Sequence, residues 1–209
     1  MQHSGSAGVK REASETPARR PRKARDPQES RRALVEAAAE IFNTVGYFGT
    51  DTNRIAKAAG YTPGSFYTHF PDKRAIFLEV YQQWVDTELV DIAAGVQSQD
   101  ANRHERLART ILEHHRRWKT FRASLRALYA VDAHVRKVRL AQRLRQVELL
   151  IRLVKEKGRE PPGKARVYAD LLAVEMICDA IADGDIKQIG IRDSDMFRIL
   201  VENIGARRG

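Results

Sequence analysis

Apolar residues recur along this chain at helical spacing, and no stretch sustains the alternation expected of a strand. Leu34, Ala38, Ile41, Phe42 and Val45 fall at i, i+4, i+7, i+8 and i+11, one face of a helix that Asp26 and Pro27 open and Gly46 closes. Thr50 is placed to cap a second helix, with Ile55, Ala56 and Ala59 inward and Gly60 as its stop. Thr62 and Pro63 open a third, whose buried side is Phe66 and Phe70. Pro71 blocks its continuation. Asp72 then caps a fourth helix reaching from residue 73 into the high 90s, with Ile76, Phe77, Val80, Tyr81, Trp84, Leu89 and Ile92 as its stripe. Further periodic runs cover 101–119, 121–130, 133–157, 164–182 and 194–205, and the segments 158–163 (GREPPG) and 184–192 break them. The expected fold is all-α, with about nine helices packed as a bundle. No internal repeat is visible.

Composition narrows the class. A hydrophobic fraction of 43% over 209 residues supports a real core, in one large domain or two small ones. The net charge of +10 points toward polyanions. It is unevenly placed: residues 1–25 hold seven Lys or Arg against two Glu, so half the excess sits in this segment. With no apolar period, residues 1–26 are expected to form a disordered basic arm. Two readings stay open for it, a solubilising tail and an arm that reaches the minor groove or phosphates. A single cysteine, Cys178, excludes an intrachain disulfide. No apolar run is long enough for a membrane span, and none resembles a secretory signal. A cytoplasmic location is the simplest expectation.

The segment 50–73, TDTNRIAKAAGYTPGSFYTHFPDK, concentrates the chemistry. Its third helix is short and polar, beside an apolar partner across a tight turn. That is how a helix-turn-helix, here expected about 51–70, presents side chains to a DNA groove. Thr50 and Thr52 stand at a helix start, where backbone N–H groups attract phosphate, and Lys73 stands at another. Tyr67 and His69 are within reach of one strand's backbone. Thr62, Ser65 and Thr68 are candidates to face the bases, and Gly64 permits close approach. Arg54 is either a phosphate contact or a solvated cation. Pro63 offers no side-chain hydrogen bond to a base.

Gly46-Tyr47, Thr50, Ile55-Ala56, Ala59-Gly60, Gly64, Phe66-Tyr67, His69-Phe70 and Lys73 together resemble the DNA-binding domain of the TetR/AcrR transcriptional regulators. The resemblance covers residues 28–88. It departs at Tyr61, where Val is common, and at Pro63, where polar or basic residues are frequent. It implies a DNA-binding domain over 27–88 and a ligand-binding and dimerisation domain over 89–209. It further implies a homodimer on a pseudo-palindromic operator, released by a small apolar or amphipathic effector. Repression is the family's usual outcome; activation, and non-specific architectural DNA binding, are the alternatives.

For the effector, aromatic and apolar residues of the later helices are the candidates: Tyr81, Trp84, Trp118, Phe121, Leu125, Tyr129, Leu150 and Met176. For the dimer, the last two helices are apolar on more than one face. A two-fold contact through Leu171, Leu172, Glu175, Cys178, Met196, Ile199, Leu200 and Ile204 would cover them. Plain core is the competing reading for both sets. His114 and His115 diverge by about 100° on a helix, so they do not chelate as a pair, and no metal or other cofactor is expected. HHRRWK and the Arg-rich stretch 136–145 are expected to be solvated faces. No motif of an enzyme nucleophile, zinc protease or phosphate loop is present, so no catalytic activity is expected.

Overall fold

In a computed structural model, residues 26–205 are described; the basic-arm expectation for 1–26 lies outside them apart from Asp26. These residues form α1 (Pro27–Val45), α2 (Thr52–Ala58), α3 (Pro63–His69), α4 (Lys73–Gln97) and α5 (Arg103–Arg117). There follow α6 (Lys119–Val131), α7 (Ala133–Glu156), α8 (Lys164–Asp183) and α9 (Asp193–Gly205). No strand occurs among them, and the expected all-α architecture is the one observed. The second break contains a short 3-10 helix, Asp185–Ile189, that periodicity does not reveal.

Helix starts follow side-chain chemistry. Asp26 accepts from the Gln28 amide at 2.9 Å, Asp72 from Ala75 at 2.7 Å, and Asp132 from His134 and Val135 at 2.8 and 3.1 Å. The cap of α2 is Asp51, accepting from the Arg54 amide at 2.8 Å, and not Thr50 as expected. A carboxylate one residue on takes the role, and Thr50 turns into the interior at 9% exposure.

Two cores organise the helices, with a smaller third between α7 and α8. The first joins Leu34, Ala38 and Phe42 of α1 with Ile55, Phe66, Phe70, Ile76 and Phe77. It also takes in Phe121, Leu125 and Leu128 of α6, so it extends well beyond residue 88. Phe77 stacks on Phe121 with centroids 4.4 Å apart, and Phe42 meets Phe77 edge-on at 5.1 Å. The second core lies among α5, α8 and α9, around Ile111, Val174, Cys178, Ile181 and Leu200. Helix α4 runs past both groups, packing on α1 at one end and on α5 and α7 beyond it. Gly46 has φ +75°, and a Cβ there would lie 2.9 Å from the Ser124 hydroxyl, which accepts from the Tyr47 amide at 2.9 Å. That glycine thus closes α1 and admits α6 to its side.

Candidate nucleic-acid interface and effector cavity

Helix α3 is pinned from beneath and polar on top. Phe66 and Phe70 are buried, as a packing role requires, while Thr62, Pro63, Gly64, Tyr67 and Thr68 are exposed. Thr62 caps the helix through the Ser65 amide at 3.3 Å and shares a hydroxyl hydrogen bond with Ser65 at 3.0 Å. Thr68 donates back to the Gly64 carbonyl at 3.2 Å. The Tyr67 hydroxyl, on a side chain 56% exposed, meets the Thr52 hydroxyl at 3.0 Å, so α2 and α3 present a joined pair of hydroxyls. His69 is half-buried. Nothing crowds a Cβ position at Gly64 closer than 3.9 Å, so the helix surface is open there.

Three expected contacts sit differently. Thr50 is buried, and its carbonyl accepts from the Lys73 ammonium at 2.7 Å. Lys73 also donates to the Tyr47 carbonyl at 2.8 Å and lies 4.2 Å from the Tyr47 ring centroid. Its ammonium clamps the turn after α1 to the start of α4, and burial lowers its pKa. Arg54 is exposed but leans on the Gly49 carbonyl at 3.4 Å. Exposed Phe48, Asn53 and Lys57, which the pattern did not single out, neighbour this surface in sequence.

Within the bundle, a small cavity of about 60 Å³ is lined by Tyr81, Trp84, Leu125 and Leu150 of the expected effector set. The other four candidates lie elsewhere. Phe121 is fully buried against Phe77, and half-buried Trp118 packs edge-on against Phe121. Tyr129 sits beneath the Arg136 and Arg139 guanidiniums, and Met176 is 72% exposed on the outer face of α8. A larger space of about 520 Å³ adjoins the small one and shares Val96, Leu107, Leu150 and Ile204 with it.

The small cavity is floored by ions, among which His115, Arg139 and Arg143 were expected on solvated faces and Glu175 at a dimer contact. Arg122, 6% exposed, donates to Asp179 at 2.8 Å and to Glu175 at 3.0 Å. Glu175 also accepts from Arg139 at 2.7 Å and from Arg143. Asp179 accepts from Arg126 at 2.7 Å and from His115 Nδ1 at 2.7 Å. Burial opposes both carboxylates' charge, yet both pKa values are lowered: hydrogen bonds from His115 and Arg122 hold Asp179 well below the usual carboxylate range, and Arg143, Arg122 and Arg139 hold Glu175 down. Burial also lowers the His115 pKa despite its carboxylate partner, which keeps the ring neutral at pH 7. His114 turns instead to Asp91 on α4, at 2.9 Å. The i, i+4 pair Arg139 and Arg143 was the available signal, hidden in a run of arginines.

Several dimer candidates are interior. Cys178 and Leu200 are fully buried, Ile204 and Leu171 nearly so, and Glu175 belongs to the ion network. Met196 is half-buried against the second core. Leu172 and Ile199 remain outside, at 38% and 44% exposure. Tyr168, Leu172 and Met176, four residues apart along α8, form an exposed apolar stripe.

A short polar helix raised on an apolar one, ahead of a helical bundle with an internal cavity, is the arrangement of a helix-turn-helix joined to a helical body. Residues 34–80 match the family described as "Bacterial regulatory proteins, tetR family". The chain is 39% identical over 57 residues to the HTH-type transcriptional regulator AcrR of Shigella flexneri, covering 27% of this chain and 26% of that protein. It is 31% identical over 64 residues to RutR of Escherichia coli K12, covering 31% of this chain and 30% of that one. The matches thus span about a quarter to a third of those relatives. A TetR-family transcriptional regulator from Streptomyces coelicolor has the same fold, with a TM-score of 0.68 at 19% identity over 86% of this chain and 80% of that one.

Proposed function

We propose that this chain is a sequence-specific DNA-binding transcriptional regulator, a homodimer that represses from a pseudo-palindromic operator and is released by a small molecule. The observation that carries the reading is the exposed polar face of α3 above buried Phe66 and Phe70. In this reading Tyr67 and Thr52 grip phosphate, and Thr62, Ser65 and Thr68 meet the bases, with Gly64 allowing approach. Residues 27–88 act as the DNA-binding head and 89–209 as the sensing and dimerising body. The chain acts in the cytoplasm and catalyses no reaction. Among the described residues no helix is long and apolar enough to cross a membrane.

The dimer contact in this proposal is the α8–α9 outer face, with Tyr168 and Met176 joining Leu172 and Ile199. A two-fold pairing would cover the α8 stripe and set two α3 helices about 34–36 Å apart, one DNA turn. An effector that favours another spacing would release DNA, by no more than its differential affinity for the two arrangements. A mobility-shift assay on DNA flanking the gene, at about 100 mM salt, tests this. A specific shift that competitor DNA does not remove supports the reading; its absence across all flanking regions overturns it.

A further inference from the structure

Glu88 is 6% exposed, lines the small cavity, and has neither a hydrogen bond nor an ion pair among the described residues. Every other buried acid in this region is held by several donors: Glu175 by Arg122, Arg139 and Arg143, and Asp179 by Arg122, Arg126 and His115. An unpartnered buried carboxylate is costly, and a missing donor is the usual remedy. Trp84 Nε1, one helical turn away on the same cavity, is a buried donor that also lacks a partner, so the cavity presents both an acceptor and a donor to whatever fills it.

Charge decides what kind of donor. Around the cavity, Arg122, Arg139 and Arg143 carry three positive charges, and Glu175, Asp179 and Glu88 carry three negative ones. Behind this set, Arg126 pairs with Asp183 at 3.1 Å as well as with Asp179, exposed Lys119 lies 3.9 Å from Asp183, and His115 is neutral. Counting the lining together with Asp179 behind it, formal charges balance, so an ammonium or a carboxylate would each add an uncompensated charge to a buried site. A neutral hydroxyl leaves the balance untouched. It donates to Glu88 and can accept from the Tyr81 phenol, which burial keeps protonated by pushing its pKa up to about 12. Size agrees: a cavity of about 60 Å³ admits a hydroxymethyl-sized head. The adjoining space of about 520 Å³, reached past Val96, Leu107, Leu150 and Ile204, offers an apolar wall of Leu150, Val154, Pro162 and Val167 to an apolar body, opposite a polar rim that includes Arg103, Lys157 and Arg159.

We infer that the ligand of this cavity is an uncharged amphiphile whose hydroxyl donates a hydrogen bond to Glu88, with its apolar body in the larger adjoining space. This rests on the reading of the bundle as an effector domain. The test is calorimetric titration of the full chain with 1-decanol, methyl nonyl ether (its isomer, which accepts but cannot donate), decanoate and decylammonium. The alcohol is expected to bind about tenfold tighter than the ether, the worth of one hydrogen bond to a charged group. It is also expected to outbind both ions. In Glu88→Met the alcohol and the ether are expected to bind alike, with the melting temperature unchanged or raised. Preference for either ion, equal binding of alcohol and ether by the unsubstituted protein, or no binding of any probe overturns the inference. Should the variant fail to fold, the comparison in the unsubstituted protein still decides. Operator binding is measured on the same samples. Alcohol binding that leaves operator affinity unchanged upholds the ligand class and removes the effector role; release by the ammonium alone does the reverse.

Discussion

Phe121 and Arg122 are neighbours in the chain and belong to two differently built regions. Phe121 faces the head, stacked on Phe77 in a core of aromatic and aliphatic side chains. Arg122 faces the bundle, where it holds Asp179 and Glu175 beside a cavity. The head shows a polar face on α3 and an interior that is apolar apart from small hydroxyl residues such as Ser30 and Thr50. The bundle puts charges inside and leaves apolar residues such as Met176 outside. Under the proposed function the two constructions serve different roles. A rigid platform needs close packing, whereas a cavity that discriminates ligands needs polar groups already fixed in place.

The comparison can be broken hardest by substitutions on either side of it. Phe77→Ala and Arg122→Ala are each expected to cost about 3–5 kcal/mol, one through an empty space and the other through orphaned carboxylates. Urea unfolding measures both. The causes separate on repair. Replacing the set together, with Arg122→Met, Arg139→Met, Arg143→Met, Glu175→Leu and Asp179→Leu, should recover much of the loss, because an apolar set of similar volume replaces ions well. Equal losses with and without the repair would show that the network is not what Arg122 supports.

A pH series gives a smaller contrast. The His115 imidazole has its pKa lowered from 6.5 in the fold, so the unfolded chain takes up its proton first as pH falls. Its contribution is intact above pH 6.5 and is lost below it, by at most about 1.4 kcal/mol per pH unit. Asp179 acts in the same direction further down, its contribution intact above 3.8 and lost as pH falls toward its lower folded value. His115→Asn should flatten the slope between pH 6.5 and 5; an unaltered slope would mean the ring is not held neutral. On the head, Tyr67→Phe is expected to lower operator affinity about tenfold without moving the melting temperature. A mobility shift beside a thermal melt checks it, and a fall in stability instead would make the hydroxyl an internal strut. Smallest is Cys178, whose thiol burial pushes up to about 12: thiol reagents should leave it unmodified in the folded protein, read by mass spectrometry.

The head was legible because its signals are local. Asp26, Gly46, Thr62, Pro63 and Asp72 mark helix ends, and Phe66 and Phe70 sit one turn apart on the buried side of α3. Thr50 and Lys73 show where local reasoning stops, since Lys73 reaches the Thr50 carbonyl across 23 residues. The bundle was less legible for the same reason. Arg122 and Asp179 are 57 residues apart, so nothing near either tells a buried pair from two solvated charges. Cavity walls follow shape, which is why Tyr81, Trp84, Leu125 and Leu150 border the space while Phe121, equally aromatic, fills the head core instead.

Helix α4, 25 residues long, is a rod of about 37 Å at 1.5 Å per residue. The Lys73 clamp fastens its first turn to the head, and the Ser124 hydroxyl ties the other side of the head to α6. Shaft and strut together forbid a loose swivel. Any tilt imposed near Glu88, just beyond the middle of the rod, must carry the head round as one block. A few degrees there becomes a displacement of about an ångström or more at α3, a useful fraction of a base-pair step.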